Sequence, residues 1–207
     1  VKSEKTTFED PVFVESVDLL TQLQKYMPSD VTAVSYTDAQ TLFISEQAGM
    51  FPGGSFEVSF FRGQNPDLKL GMFPVPPVDG APLDEGVVTA YQDGSFAINA
   101  SSDKQKAAAE LLSWMTTQEF GQMFTDQVSQ LSPVKNVKIT DELLEEIVAT
   151  YDQNPQKYLL YTDFRWGTPA ASDIFNPGVQ ALFLGSTDAA QLARELQQGI
   201  SQWLTTS

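Results

Sequence analysis

Cysteine and histidine are both absent from this chain of 207 residues. Their absence excludes thiol nucleophiles, thiolate and imidazole metal ligands, and every catalytic triad that depends on an imidazole base. Any chemistry would rest on carboxylate, lysine, tyrosine or serine side chains, and we expect neither a cofactor nor a metal site. A chain without cysteine fits an oxidising exterior, but many cytosolic proteins also lack it, so this absence assigns no compartment.

Basic residues and long apolar runs are also scarce. Twelve Lys and Arg against 27 Asp and Glu give a formal net charge of -15. This charge repels phosphates and anionic membrane surfaces over a Debye length of about 8 Å, so we expect no nucleic-acid partner. No apolar run approaches the roughly 20 residues of a membrane helix, and residues 1–7 are too polar for a signal peptide. We expect a soluble chain, whose export would need a signal upstream of residue 1.

What is present is enough apolar sequence for a real core, in one large or two small domains, because 42% of the residues are hydrophobic. Asp10 and Pro11 predict an N-cap and a first-turn proline for a helix that ends at Pro28. Further helices are predicted over residues 38–47 and 174–184. Two helices in tandem are predicted to begin at Ser102 and Thr116, and two more at Thr140 and Thr187. The last carries one apolar stripe that predicts core packing: Leu192, Leu196, Ile200 and Trp203.

Three apolar segments predict strands, at residues 48–51, 69–77 and 87–99. The Asp93 and Gly94 pair in the third segment indicates either a hairpin turn or a kink in one long strand.

A glycine pair, Gly53 and Gly54, follows the first predicted strand. It would allow a sharp turn or a positive φ, and Ser55 would then cap a short helix. Ligands bind at the carboxyl ends of strands in open α/β sheets, so Phe56 and Glu57 are candidate ligand contacts. The alternative is a tight turn with Phe56 packed in the core.

Four segments in this order resemble the C-terminal half of an extracellular solute-binding protein of an ABC importer, family 1, of the maltodextrin and oligosaccharide type. They are residues 48–57, 70–76, 91–112 and 176–203. The resemblance spans nearly the whole chain, and its specificity lies in order and spacing. It implies a type II periplasmic-binding-protein-like α/β fold, here a helix-rich partial chain that lacks the N-terminal half.

The resemblance also implies a division into lobes. Residues 1–88 and 141–207 would belong to the second lobe, and residues 89–140 would hold the hinge crossings and a helical segment of the first. The implied location is extracytoplasmic, either periplasmic or as a cell-surface lipoprotein. The implied partners are a small-molecule ligand, expected to be an oligosaccharide, the transmembrane subunits of an ABC permease, and either the missing N-terminal half or a second copy of the chain.

The implied function is capture of a carbohydrate in a cleft between the lobes, without catalysis, and its delivery to the permease. Aromatic rings can stack on pyranose faces, and planar charged groups can bond pairs of hydroxyls. The candidate ligand-binding residues are Phe56, Glu57, Tyr91, Gln92, Asp93, Arg165 and Trp166.

Two other function classes stay open at the level of sequence. A glycosidase needs only two carboxylates, and Glu57 with Asp93 would be a suitable pair, although 27 acidic residues bring two near any cleft by chance. A scaffold or interaction module would need an exposed apolar patch.

Overall fold

The computed structural model describes residues 7–76, 88, 90, 94–153 and 164–204. Within this part of the chain the regular structure is helical. The α-helices are α1 (Pro11–Leu23), α2 (Tyr36–Ile44), α3 (Val58–Gln64), α4 (Gln105–Met115), α5 (Gln118–Val128), α6 (Glu142–Gln153), α7 (Ala171–Phe183) and α8 (Ala189–Ile200). The chain divides into two units, the first from Val1–Asp38 and Leu160–Ser207, the second from Ala39–Leu159. No helix in the described ranges has both the length and the apolar character that crossing a bilayer requires.

The first helix confirms its prediction. The Asp10 side chain accepts a hydrogen bond from the backbone N–H of Val12 at 3.0 Å, and Pro11 occupies the first turn. Proline costs nothing there because its missing N–H would have no partner within the helix. After α1 the chain continues as a 3₁₀ turn, Gln24–Tyr26, and leaves helical conformation before Pro28.

The core of the first unit lies between α1, α7 and α8. The predicted stripe on α8 is confirmed, because Leu192, Leu196 and Ile200 are completely buried. Trp203 packs beside them and donates its indole N–H to the carbonyl oxygen of Pro169 at 2.8 Å. A helix whose apolar residues recur every three to four positions buries one face, and here that face is the centre of the unit.

Two glycines allow α7 and α8 to approach closely. A Cβ at Gly178 of α7 would overlap with Cδ1 of Leu192, and a Cβ at Gly199 of α8 would overlap with Cδ1 of Ile174. Each helix therefore places a branched side chain over a glycine of the other. Pro177 lies inside α7, so it does not begin the helix.

The second unit has its core between α3 and α6. Val58 of α3 is buried together with Leu143, Leu144 and Ile147 of α6. Leu70, Met72, Leu131 and Ile139 pack against this cluster.

Three of the predicted helix caps are wrong by one residue. The side chain that accepts the first backbone N–H groups belongs to Thr117 in α5, Asp141 in α6 and Asp188 in α8. Each directly follows the threonine that was predicted. Aspartate caps at least as well as threonine, and the backbone of the preceding residues decides which oxygen reaches the free N–H groups. Spacing alone does not contain that information.

The predicted strands are not present in the described residues, and the prediction of buried strands at 48–51 and 69–76 is wrong. Met50 is 69% exposed, and Phe73 and Val75 are exposed as well. Each N–H and C=O of a strand needs a partner on a neighbouring strand, and in the described residues Val75 alone forms an isolated β-bridge. Residues 94–99 form no strand either. Residues 91–93 lie outside the described ranges, so the hairpin or kink there stays a prediction.

Asp141 joins two helices of the second unit. It caps α6 through the N–H groups of Leu143 and Leu144, at 3.0 and 3.2 Å, and it pairs with Arg62 of α3. Burial alone would raise the pKa of Asp141, but the hydrogen bonds from Arg62 and the two amides, with the charge of Arg62, lower it below its ordinary value.

We expect Asp141→Asn to destabilise the protein by about 1 kcal/mol at pH 7, since asparagine keeps the cap and loses the partly exposed ion pair. The folded state holds the Asp141 proton less tightly than the unfolded state. The contribution of the Asp141 carboxylate to the free energy of unfolding is therefore present above about pH 3.9, and it is lost as the pH falls through the lowered pKa. Urea unfolding at pH 7 and pH 3 measures this, and the difference from wild type should shrink at pH 3. Asp103→Asn, at a surface pair with Lys104, is the control and should change little.

Candidate functional site

The glycine corner leads into a short helical segment, as predicted, but the predicted cap is wrong, because Ser55 lies inside the segment and Gly54 precedes it without a side-chain cap. Residues 51–54 are irregular, Ser55–Glu57 form a 3₁₀ turn, and α3 follows directly. The N–H of Glu57 donates to the carbonyl oxygen of Gly54 at 3.0 Å. Gly54 itself has φ of −135°, an extended value, so the expectation of a positive φ is wrong at this residue.

Close approach of side chains, rather than backbone conformation, explains the two glycines. A Cβ at Gly54 would lie 2.6 Å from Cε1 of Phe56, and a Cβ at Gly53 would lie 3.1 Å from the ring of Phe51 and 3.2 Å from Cγ of Glu57. The Phe56 ring thus rests on the backbone of Gly54. Any larger residue at position 54 must move that ring.

Phe56 is 51% exposed, so it is not the core residue of the alternative interpretation. One edge of its ring is held by the Gly54 backbone. The exposed remainder is an apolar surface of the size that a flat ligand could cover.

Glu57, the next residue, is buried instead, with only 5% of its surface exposed. Its Oε2 accepts a hydrogen bond from Nε2 of Gln40, on α2, at 2.9 Å. Burial raises the pKa of the Glu57 carboxyl. Gln40 was missed from sequence, although a signal existed: it lies on α2 three residues before Phe43, and residues three apart share a helix face.

An aromatic cluster lies beneath the corner. The Phe43 ring of α2 is 4.9 Å from that of Phe61 in α3, and Phe51 is 5.3 Å from Phe61 and 6.0 Å from Phe43. These centroid distances are those of favourable tilted and edge contacts. The cluster fixes the corner against both helices.

Arg165 and Trp166 form a second candidate group, in the loop before α7. The Arg165 guanidinium carbon lies 5.5 Å from the centroid of the Trp166 ring, a cation–π contact, and Trp166 is 83% exposed. Gly167 anchors the loop, because a Cβ there would overlap with the Trp203 ring. The loop therefore presents a planar cation and an aromatic face outward from a fixed base.

The candidate residues that the structure describes lie in two groups, one in each unit. Phe56 and Glu57 lie in the second unit, whereas Arg165 and Trp166 lie in the first. The other three candidates, Tyr91, Gln92 and Asp93, lie outside the described residues.

A surface pocket elsewhere contains none of the candidate residues. It has a volume of about 510 Å³ and is lined by Met115, Thr116, Gln118, Pro133, Val134 and Lys135. The described residues also contain no cluster of three or more acidic side chains arranged to hold a metal ion.

Comparisons with known proteins bear on the family and the fold. A family model described as bacterial extracellular solute-binding protein matches residues 2–122. The fold is similar to a solved open conformation of the binding protein MsmE from Bacillus subtilis subsp. subtilis strain 168, with a TM-score of 0.70 and 16% identity. The similarity covers 92% of this chain and 48% of that one, so this chain spans about half the length of the protein it matches. No curated protein matches the chain.

Proposed function

This chain belongs to the bacterial extracellular solute-binding protein family, and on that premise we propose that it binds an oligosaccharide for delivery to an ABC importer. The fold is periplasmic-binding-protein-like, helix-rich in the described residues, and matches about half of a binding protein, whereas the type II α/β sheet implied by the resemblance stays a proposal. The family consists of solute-binding proteins and not of enzymes, so the glycosidase alternative is set aside.

The observation that carries the sugar proposal is the half-exposed ring of Phe56, held against Gly54 at the start of a helical turn. The C–H face of a pyranose ring is apolar and stacks on such a surface, while its hydroxyls need planar polar partners. Trp166 offers a second exposed ring, and Arg165 beside it offers a planar donor.

The remaining parts of the proposal rest on the resemblance. Tyr91, Gln92 and Asp93 would add an aromatic ring and hydroxyl-bonding groups at a hinge strand, and residues 89–140 would belong to the first lobe. The partners would be permease transmembrane subunits and a further segment or second copy that completes the cleft. The location would be extracytoplasmic, periplasmic or as a cell-surface lipoprotein.

Isothermal titration calorimetry with the protein at its natural length tests the proposal. The titrants are maltose to maltopentaose and raffinose, with spermidine and an amino-acid mixture as other solute classes. We expect micromolar or tighter binding of at least one saccharide, with the saccharide recovered intact. Selective binding of spermidine or an amino acid would refute the sugar proposal, and release of shorter sugars would refute binding without catalysis.

Gly54→Ala should weaken saccharide binding by displacing the Phe56 ring. The added methyl group meets Cε1 of Phe56 at 2.6 Å, and the half-exposed ring can move outward at little cost to folding. We expect a loss of affinity of about tenfold, or roughly 1.4 kcal/mol, and a melting temperature close to that of wild type.

Gly49→Ala is the matched control, because a Cβ at Gly49 has no atom within 4 Å. Its affinity should equal that of wild type. If Gly54→Ala bound as well as this control, the ring position at residue 56 would have no part in binding.

A further inference from the structure

The buried carboxyl of Glu57 lies directly beside the exposed ring of Phe56. We infer that Glu57 is a positioning residue, which fastens the corner to α2 and so orients the Phe56 ring, rather than a group that bonds the ligand itself. This inference rests on the proposed function. Glu57 is 5% exposed, and its carboxylate oxygen already accepts a hydrogen bond from Gln40 at 2.9 Å.

The two side chains are mechanically linked through consecutive glycines. Cγ of Glu57 lies against Gly53, and the ring of Phe56 lies against Gly54. Both side chains belong to one 3₁₀ turn, closed by the hydrogen bond from the Glu57 N–H to the Gly54 carbonyl at 3.0 Å. A displacement of Glu57 therefore rotates the turn and carries the ring with it.

An aromatic and a polar connection join α2 to the segment around this turn, and the polar connection involves the turn itself. The aromatic connection runs from Phe43 to Phe51 and Phe61, on either side of the turn. The polar connection runs from Gln40 to Glu57, one residue from Phe56. Loss of the polar connection should leave the aromatic cluster intact and free the turn that carries the ring.

The polar connection is a hydrogen bond between a carboxylate and an amide. Of the charged groups on α3, on α2 and in the turn after α2, Arg62 is paired with Asp141, and Asp38 and Glu46 are acidic. A buried carboxyl left without its amide partner loses a hydrogen bond and keeps its desolvation cost. Glutamine at position 57 can still accept from Gln40 and carries no charge, so it should preserve the connection.

A double-mutant cycle in saccharide affinity tests the inference, with maltotriose or the tightest-binding sugar of the titration panel as probe. We expect Glu57→Ala to weaken binding by about fivefold or more in the wild-type background and by less than about twofold in Phe56→Ala. Glu57→Gln should bind like wild type. Glu110→Ala, at an exposed glutamate of α4, is the control and should change nothing.

The other outcomes each contradict the inference. If Glu57→Ala costs the same affinity with and without the Phe56 ring, the carboxylate contacts the sugar directly. If it lowers only the melting temperature, Glu57 serves folding alone.

A second measurement needs no sugar. The protein carries 4-fluorophenylalanine in place of Phe56, and its ¹⁹F resonance is recorded by NMR. Glu57→Ala and Gln40→Ala should each shift or broaden this resonance, whereas Glu57→Gln should leave it in place. An unchanged resonance in both alanine variants would overturn the positioning role. If no saccharide binds the wild-type protein, the proposed function fails, while this spectrum still decides the role of Glu57.

Discussion

Truncation of Leu192 to alanine is expected to lower the free energy of unfolding by about 2–5 kcal/mol, because it leaves a cavity in a completely buried site. Leu192 is 0% exposed and lies in a cluster with Val17 of α1 and Leu182 of α7. Its Cδ1 also occupies the space above Gly178. No neighbouring side chain can fill all of that volume, since the three helices are already in contact.

Urea denaturation followed by circular dichroism measures the loss, and Leu184→Ala is the matched control. Leu184 directly follows α7 and is 69% exposed, so the same chemical change there should cost less than about 0.5 kcal/mol. If the two leucines cost the same, the packing of α8 on α7 is not the source of stability.

The glycine beneath Leu192 allows a sharper test of the same contact. Gly178→Ala alone places a methyl group where Cδ1 of Leu192 lies, and we expect a loss of about 1–3 kcal/mol from overpacking. In the Leu192→Ala background that methyl group enters the vacated space. The double variant should therefore be more stable than the sum of the two single losses predicts, by about 1 kcal/mol or more. Simple additivity would show that the two residues do not share this space.

Helix α8 could be predicted from sequence because its apolar periodicity and its packing agree. On α8, Leu192, Leu196 and Ile200 recur at the helical spacing and are all completely buried. Periodicity records which face is apolar, and the helix supplies its own hydrogen bonds, so no distant partner is needed to form it. The caps were less predictable, because adjacent threonine and aspartate residues compete for the same free N–H groups.

The strand predictions are wrong because, unlike a helix, a strand depends on a partner elsewhere in the chain. A short apolar run such as residues 48–51 has the composition of a buried strand, but a strand exists only if another strand lies beside it. The local sequence does not contain that partner. In the described residues the same segment is a loop, whose Phe51 packs on Phe61 while Met50 is exposed.

The glycine corner could be located from sequence, but the placement of its two candidate side chains could not. The glycine pair followed by an aromatic residue indicated the corner, and Phe56 is exposed there. Glu57 is adjacent in sequence and carries a carboxyl group, yet it is buried against Gln40. Successive residues of a helical turn point in different directions, so adjacency in a motif does not imply a shared environment. The assignment of both residues to ligand binding stays a proposal.

Phe56→Ala is expected to weaken saccharide binding by about 5- to 150-fold, which corresponds to about 1–3 kcal/mol for loss of an aromatic contact at a binding surface. Alanine cannot cover the C–H face of a pyranose ring, and nothing else in the 3₁₀ turn can replace the ring. Folding should be affected little, because half of the ring is exposed and the aromatic cluster of Phe43, Phe51 and Phe61 does not include it.

Calorimetric titration with the tightest-binding sugar, together with thermal unfolding, separates binding from folding. Phe73→Ala is the matched control: Phe73 belongs to the same unit and is 65% exposed, but it lies outside the corner. We expect wild-type affinity for the control and a melting temperature within a few degrees of wild type for both variants. A large fall in melting temperature with unchanged affinity would make Phe56 a structural residue. An equal loss of affinity in both variants would indicate that exposed aromatic area in general, and not this ring on Gly54, attracts the sugar.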